Sequence, residues 1–213
     1  MNEIQMTKKD VAFASGAGLL IGLLLLPTLA TAKPDLYAML SLWIVPFFLI
    51  ATPCGLTVAY YISKKIAVIW QIGKFGVTGV LNVLVDMGVL SLLIAFFRNS
   101  FQINASDVFF SVLTFYSIYK ALSFIVANIN SYIWNKYWTF NQTGEKKSEF
   151  IQFFLVSIVG FIINVAVASL VFHLGNPTGA LAQGQWGLIG AAMGSIVGLA
   201  WNFVGYKFIV FKK

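Results

Sequence analysis

Charge is scarce in this chain. Of its 213 residues only 10% are Asp, Glu, Lys or Arg, and the acids number seven against 14 bases. So few charged side chains cannot cover a water-soluble domain, which carries about a quarter of its residues charged. With 59% apolar residues and a mean hydropathy of +0.86, the solvent is a lipid bilayer. The one cysteine, Cys54, excludes an internal disulfide framework and reads as a small buried filler of the second apolar run. The one histidine, His173, closes the fifth run without a Cys, Asp or Glu cluster, so it reads as an interfacial residue and not a metal ligand. No stretch matches G-x-x-x-x-G-K-[ST], and no Ser/His/acid set is present, which leaves neither ATP hydrolysis nor catalysis with a candidate residue. The expectation is a non-enzymatic protein with no cofactor and no metal. Period-two alternation is also missing, and that excludes a transmembrane barrel.

What is present is a series of continuous apolar runs, at residues 11–31, 36–62, 66–97, 108–134, 150–174 and 186–206. Each is long enough to cross about 30 Å of hydrocarbon as a helix. The reading is an all-α polytopic membrane bundle of about six transmembrane helices. Basic residues fall on alternate connections: Lys8 and Lys9, then Lys64, Lys65 and Lys74, then Lys136, Lys146 and Lys147, then Lys207, Lys212 and Lys213. The opposite side holds only Lys33 and Arg98. That bias places both termini in the cytoplasm and makes membrane lipids the partners of these charges; no stripe forms a groove for nucleic acid. Cysteines introduced near Gly144 are expected to resist impermeant reagents added outside, and those near Asn104 to react. The reverse labelling pattern overturns the orientation.

The first run has a double character. Lys8-Lys9, an apolar stretch and Ala30-Thr31-Ala32 resemble a secretory signal, but the run is long for one and Gly18-x-x-x-Gly22 makes a packing face. A retained helix is expected. Pro46 and Pro53 are expected to kink the second helix.

The last two-thirds of the chain are duplicated. Lys136-Tyr137-Trp138-Thr139-Phe140 and Lys207-Phe208-Ile209-Val210-Phe211 each close a hydrophobic helix, and the helix before each carries a mid-segment Asn, Asn82 or Asn164, near a Gly. Residues 74–141 thus recur at 153–213 as two related helical hairpins, and repeats of this kind place binding sites at their junction. The expectation is a shared interface that includes Asn82 and Asn164.

Function concentrates in the intramembrane polar residues. Asp86 and Lys120 lie well inside the third and fourth runs, near mid-bilayer, where each costs about 2.5–3.5 kcal/mol on insertion scales. Their two helices are joined by a short loop, so they form an antiparallel hairpin in which the charges can pair. Phe75, Gly79, Asn82 and Asp86 share one face of the third helix; Ser117, Lys120, Asn128, Ser131 and Asn135 form a stripe on the fourth. In the second hairpin Ser157, Gly160 and Asn164 share a face, while Gly190, Gly194, Gly198 and Asn202 recur every four residues on the sixth. The glycines read as close-contact positions. The polar stripes belong in the bundle interior or a hydrated groove, either as a substrate or proton path or as a hairpin clamp.

From about residue 71 onward the chain resembles the GtrA-like family of four-helix bacterial membrane proteins. The resemblance rests on Lys74-Phe75 through Gly79, Leu81-Asn82 and Asp86; on Asn135 through Phe140; on Phe153-Phe154 through Asn164; and on Asn202 with Lys207 through Phe211. It implies residues 1–70 as an N-terminal two-helix addition and 71–213 as the family's domain. It further implies translocation of a polyprenyl-phosphate-linked sugar across the bacterial cytoplasmic membrane for cell-wall or surface-polysaccharide glycosylation, often beside a membrane glycosyltransferase. On that reading Lys74, Lys136 and Lys207 hold the lipid phosphate, and Asn82, Asp86, Lys120, Asn128, Asn164 and Asn202 meet the sugar. The usual helix-end Arg is Lys here, which keeps the charge but loses bidentate phosphate geometry. Two other readings stand beside it: a non-transporting accessory subunit that anchors a glycosyltransferase, and a small-cation or proton transporter using Asp86 and Lys120.

Overall fold

A backbone in lipid has no water to bond with, so each segment must satisfy its own N–H and C=O groups, and this chain does so almost entirely as helix. The computed structural model describes residues 5–111, 113–143, 148–174 and 183–212; Gly144, Lys146, Lys147 and Lys213 lie outside the described residues. The helices are α1 (Lys8–Ala32), α2 (Pro34–Ser63), α3 (Val68–Phe101), α4 (Phe115–Trp134), α5 (Glu149–Leu174) and α6 (Gln183–Gly205). A short antiparallel pair, β1 (Val108–Phe110) and β2 (Leu113–Thr114), precedes α4. Among the described residues five helices are long and apolar enough to cross a membrane, α1, α2, α3, α5 and α6 with its continuation to Val210. The chain is an all-α multi-pass membrane protein.

α4 is the exception, and its faces explain why. At 20 residues it is long enough to span, but it carries Lys120, Asn128 and Asn130. Its exposed face is Leu122, Ile125, Val126, Ile129 and Ile133; its buried face is Tyr119, Ser123, Ala127, Asn128 and Ser131. An amphipathic helix with its apolar face outward suits hydrocarbon as the surrounding solvent. Of the polar stripe expected to turn inward, Asn128, Ser131 and Asn135 do so, while Ser117 and Lys120 in its first turns are only partly covered.

Three expectations need correction. The fourth helix starts at Phe115, not residue 108, because Asp107 draws the chain into a turn: its carboxylate accepts from the Asn104 N–H at 2.7 Å, and its own N–H donates to the Asn104 carbonyl. The aromatic run after it then pairs as strand. α3 continues to Phe101, where Gln102 ends it in the left-handed conformation (φ 57°). Cys54 is exposed and not a buried filler, since it lies on the α2 face away from α1 and α3. α2 itself runs through Pro46 and Pro53 as one helix.

The chain divides into two compact units, Met1–Asn141 and Gln142–Lys213. In the first, α1 lies directly on α2: a Cβ on Gly22 would stand 2.8 Å from the Val45 Cα, and one on Gly18 would strike the Phe48 carbonyl. The Gly18-x-x-x-Gly22 pattern therefore permits backbone-to-backbone contact. Two core clusters follow, one of Ala14, Leu56, Trp70 and Trp138 and one of Ala17, Ile21, Leu81 and Leu84. The first two helices thus share their core with α3 and the end of α4.

In the second unit α5 and α6 form a hairpin whose register steps every four residues. Gly190 faces the Ala168 carbonyl, Gly194 the Asn164 carbonyl and Gly198 the Gly160 carbonyl. Near its end Phe153 stacks on Tyr206 with centroids 4.1 Å apart, and the Tyr206 hydroxyl bonds Ser157 Oγ at 2.6 Å.

Candidate functional site

The duplicated motif has a shared local conformation. Asn135–Thr139 and Tyr206–Val210 are both π turns continuing a helix, closed by Phe140 N–H to the Asn135 carbonyl at 2.9 Å and Phe211 N–H to the Tyr206 carbonyl at 2.8 Å. At the head of the first turn the Asn135 side-chain amide donates to the Ser131 carbonyl at 2.8 Å, an acceptor that the Asn135 backbone N–H also uses. Single π turns concentrate at functional positions because they redirect side chains at a helix end.

Within the first unit α3 and α4 pack along a polar seam. Lys74, Thr78, Asn82 and Asp86 follow one another at four-residue steps on α3, and Ser123, Asn128, Ser131 and Asn135 lie along the buried face of α4 and its π turn. At one end Asp86 forms a direct ion pair with Lys120, and Ser123 Oγ donates to the second Asp86 oxygen at 2.6 Å. The pair is partly exposed, with the Lys120 side chain 44% exposed and Asp86 22%. Lys120 stands in the second turn of α4. Asp86 lies about 18 Å along α3 from Lys74, counted at 1.5 Å per residue.

At the other end the seam closes. Thr78 is fully buried and Asn135 is 1% exposed, and Thr78 Oγ1, Asn82 Oδ1 and Asn135 Oδ1 have no hydrogen-bond partner among the described residues. Unsatisfied polar atoms in a low-dielectric interior cost about 1–3 kcal/mol each.

Lys74 occupies the closed end. Its ammonium is buried, 2.6 Å from Asp10 Oδ1 and 4.5 Å from the centre of the Trp70 ring, and it donates to the Trp138 carbonyl at 3.4 Å. Asp10 comes from α1. Its other oxygen accepts from the Thr7 N–H at 2.9 Å and the Thr7 hydroxyl at 2.7 Å, while Thr7 caps α1 by accepting from the Asp10 N–H. This is a capping box with its acid shared to a buried cation.

The other sequence-derived residues are distributed as follows. Lys136 is buried, with its ammonium 3.1 Å from the Tyr132 hydroxyl and over the Tyr132 and Tyr137 rings. Lys207 is half-buried over Phe203 and Phe208. Asn128 spends its amide on the Phe124 carbonyl of its own helix, at 2.9 Å. Asn164 and Asn202 lie in the α5–α6 contact, Asn164 against Gly194 and Gly198, Asn202 against Gly160. His173 is exposed and its Nδ1 bonds the Ser169 carbonyl. A cleft of about 420 Å³ opens between α1, α2 and α3, lined by Ile21, Phe48, Gly55, Gly73, Gly76 and Val80 among others; it is apolar and does not include Asn82, Asp86 or Lys120.

Sequence reasoning passed over Asp10, Ser123 and Thr78. Asp10 had a signal: with only seven acids in the chain, one lying in a T-x-x-D box at the head of an apolar run is a candidate counter-ion. Thr78 also falls on the Lys74-to-Asp86 face by simple four-residue spacing.

No curated protein and no solved structure matches the chain. The family described as GtrA/DPMS, transmembrane domain, matches residues 74–211, starting at the buried Lys74 and taking in both Lys-to-Phe motifs with their π turns. The match covers well over half of the chain and every helix from α3 onward, so this protein belongs to the GtrA/DPMS transmembrane-domain family.

Proposed function

We propose that the chain translocates a polyprenyl-phosphate-linked sugar across the bacterial cytoplasmic membrane, with both termini cytoplasmic, to supply cell-wall or surface-polysaccharide glycosylation. Family membership supports involvement in lipid-linked sugar translocation. The observation that carries the finer reading is the partly exposed Asp86–Lys120 pair backed by the buried Ser123, a patch of hydrogen-bonding capacity set in apolar helices. A lipid-linked sugar has a tail that stays in lipid, a phosphate that needs a cation and hydroxyls that need partners inside the bilayer. Asp86, Lys120 and Asn82 offer the partners for the hydroxyls. Lys74 and the other motif lysines offer charge to the phosphate. The residues act by binding and not by catalysis, and movement is equilibrative, drawn by consumption of the sugar on the outer side. A glycosyltransferase making the lipid-linked sugar is the partner this role requires.

One observation favours the accessory-subunit reading. Asn164 and Asn202 lie at helix contacts and Asn128 bonds its own helix, where polar groups hold helices together without meeting a substrate. Reconstitution separates the two. Proteoliposomes carrying the purified chain should exchange a labelled polyprenyl-phosphate sugar between leaflets at least tenfold faster than protein-free vesicles. Exchange at the protein-free rate removes the transport reading and leaves the accessory one.

A further inference from the structure

The Lys74–Asp10 pair joins the family's domain to a helix outside it. Lys74 is the first residue of the matched region and Asp10 belongs to α1. Both side chains are 8% exposed, so the pair is a desolvated one in which neither charge tolerates loss of its counter-ion. A lipid phosphate can reach Lys74 in this conformation only by replacing the carboxylate.

Such an exchange conserves the charge balance around the buried ammonium. It also leaves Asp10 well placed, because the released carboxylate stays in the first turn of α1, beside the basic Lys8 and Lys9 and at the positive end of the helix dipole. A second observation points to an anion. The π turn whose Trp138 carbonyl accepts from Lys74 also carries two buried groups with hydrogens to donate, Trp138 Nε1 at 1% and Thr139 Oγ1 at 3% residue exposure, and neither has a partner among the described residues. An anion accepts from both types of donor and a carboxylate held by Thr7 does not reach them in this arrangement.

We propose that Asp10 is the resident counter-anion of a lipid-phosphate site at Lys74, displaced when the phosphate of a polyprenyl-phosphate lipid binds. The inference rests on the transport reading above and makes α1 the element that sets the site's affinity. Asp10 is a positioning residue: it acts on the substrate through Lys74.

The test uses the full chain in phosphatidylcholine nanodiscs with a polyprenyl monophosphate as probe. In the wild-type protein, binding should speed amide hydrogen exchange across residues 7–13 as the first turn of α1 releases Asp10. Asp10→Asn should bind the probe roughly tenfold tighter than wild type, and Lys74→Gln should lose that binding whether or not Asp10 is also replaced. Wild-type binding with protection or no change at residues 7–13 overturns the exchange, whatever the stability of the variants. Equal opening by phosphatidylglycerol in place of the probe overturns its assignment to the polyprenyl lipid. Probe binding that is absent from both wild type and Asp10→Asn overturns the transport reading, and this inference falls with it.

Discussion

Replacing Asp86 by Asn together with Lys120 by Gln should cut transport of a polyprenyl-phosphate sugar by about tenfold or more while the purified protein stays folded and monodisperse. A tenfold loss corresponds to roughly 1.4 kcal/mol of lost interaction along the path, the scale of one good hydrogen bond to a charged group. Neutralising both partners avoids stranding one charge in hydrocarbon, so the double substitution is gentler on folding than either single one. The amide at position 86 can still accept from Ser123 Oγ, which now lies 2.6 Å from the carboxylate. Register between α3 and α4 is therefore retained. If the ion pair is only a hairpin clamp, the double variant transports at the wild-type rate in the same vesicles. That result refutes the path role. A proton-coupled mechanism separates differently: Asp86→Asn alone abolishes any dependence of the rate on an imposed pH gradient.

The second large effect is expected in the α5–α6 hairpin. Gly194→Leu should lower the apparent melting temperature in detergent by on the order of 5 °C, through overpacking worth about 1–3 kcal/mol. A Cβ at Gly194 would collide with the Asn164 carbonyl and stand 2.8 Å from Asn164 Oδ1 and 3.0 Å from Ala168 Cβ. The first of these is backbone and cannot swing aside, so the helices must separate. Gly76→Ala is the control, because an added Cβ there meets nothing within 4 Å and the change gains helix propensity of up to about 1 kcal/mol. Equal melting of Gly194→Leu and wild type would show that the close α5–α6 contact is absent in the membrane protein.

The sequence alone determined the solvent, the helical class and the family. Those conclusions rest on composition and on runs of local periodicity, and hydrocarbon enforces helix wherever such runs occur. The direct contact of Asp86 with Lys120 was also legible, since a short connection between adjacent apolar runs and the cost of an unpaired charge leave few other partners. Gly18-x-x-x-Gly22 disclosed the α1–α2 contact for a similar reason: a missing side chain is a local fact with a direct steric consequence.

Only the tertiary structure decided the rest. The pairing of Asp10 with Lys74 spans 64 positions and depends on how α1 is rotated against α3, where Ala17 and Ile21 pack with Leu81 and Leu84. No window of sequence contains that rotation. The paired π turns were hidden because each is a single five-residue turn at a helix end, too short to show as a change of period in a continuously apolar run. The strand pair at Val108–Thr114 looked helical because its aromatics are as apolar as those of a span, while the backbone was directed by one carboxylate, Asp107. The motif lysines read as free interfacial charges, but rings and a hydroxyl of neighbouring turns cover Lys136, and Trp70 with the Asp10 carboxylate covers Lys74. Periodicity reports which face of a helix is polar; what that face meets is a property of the packed helices.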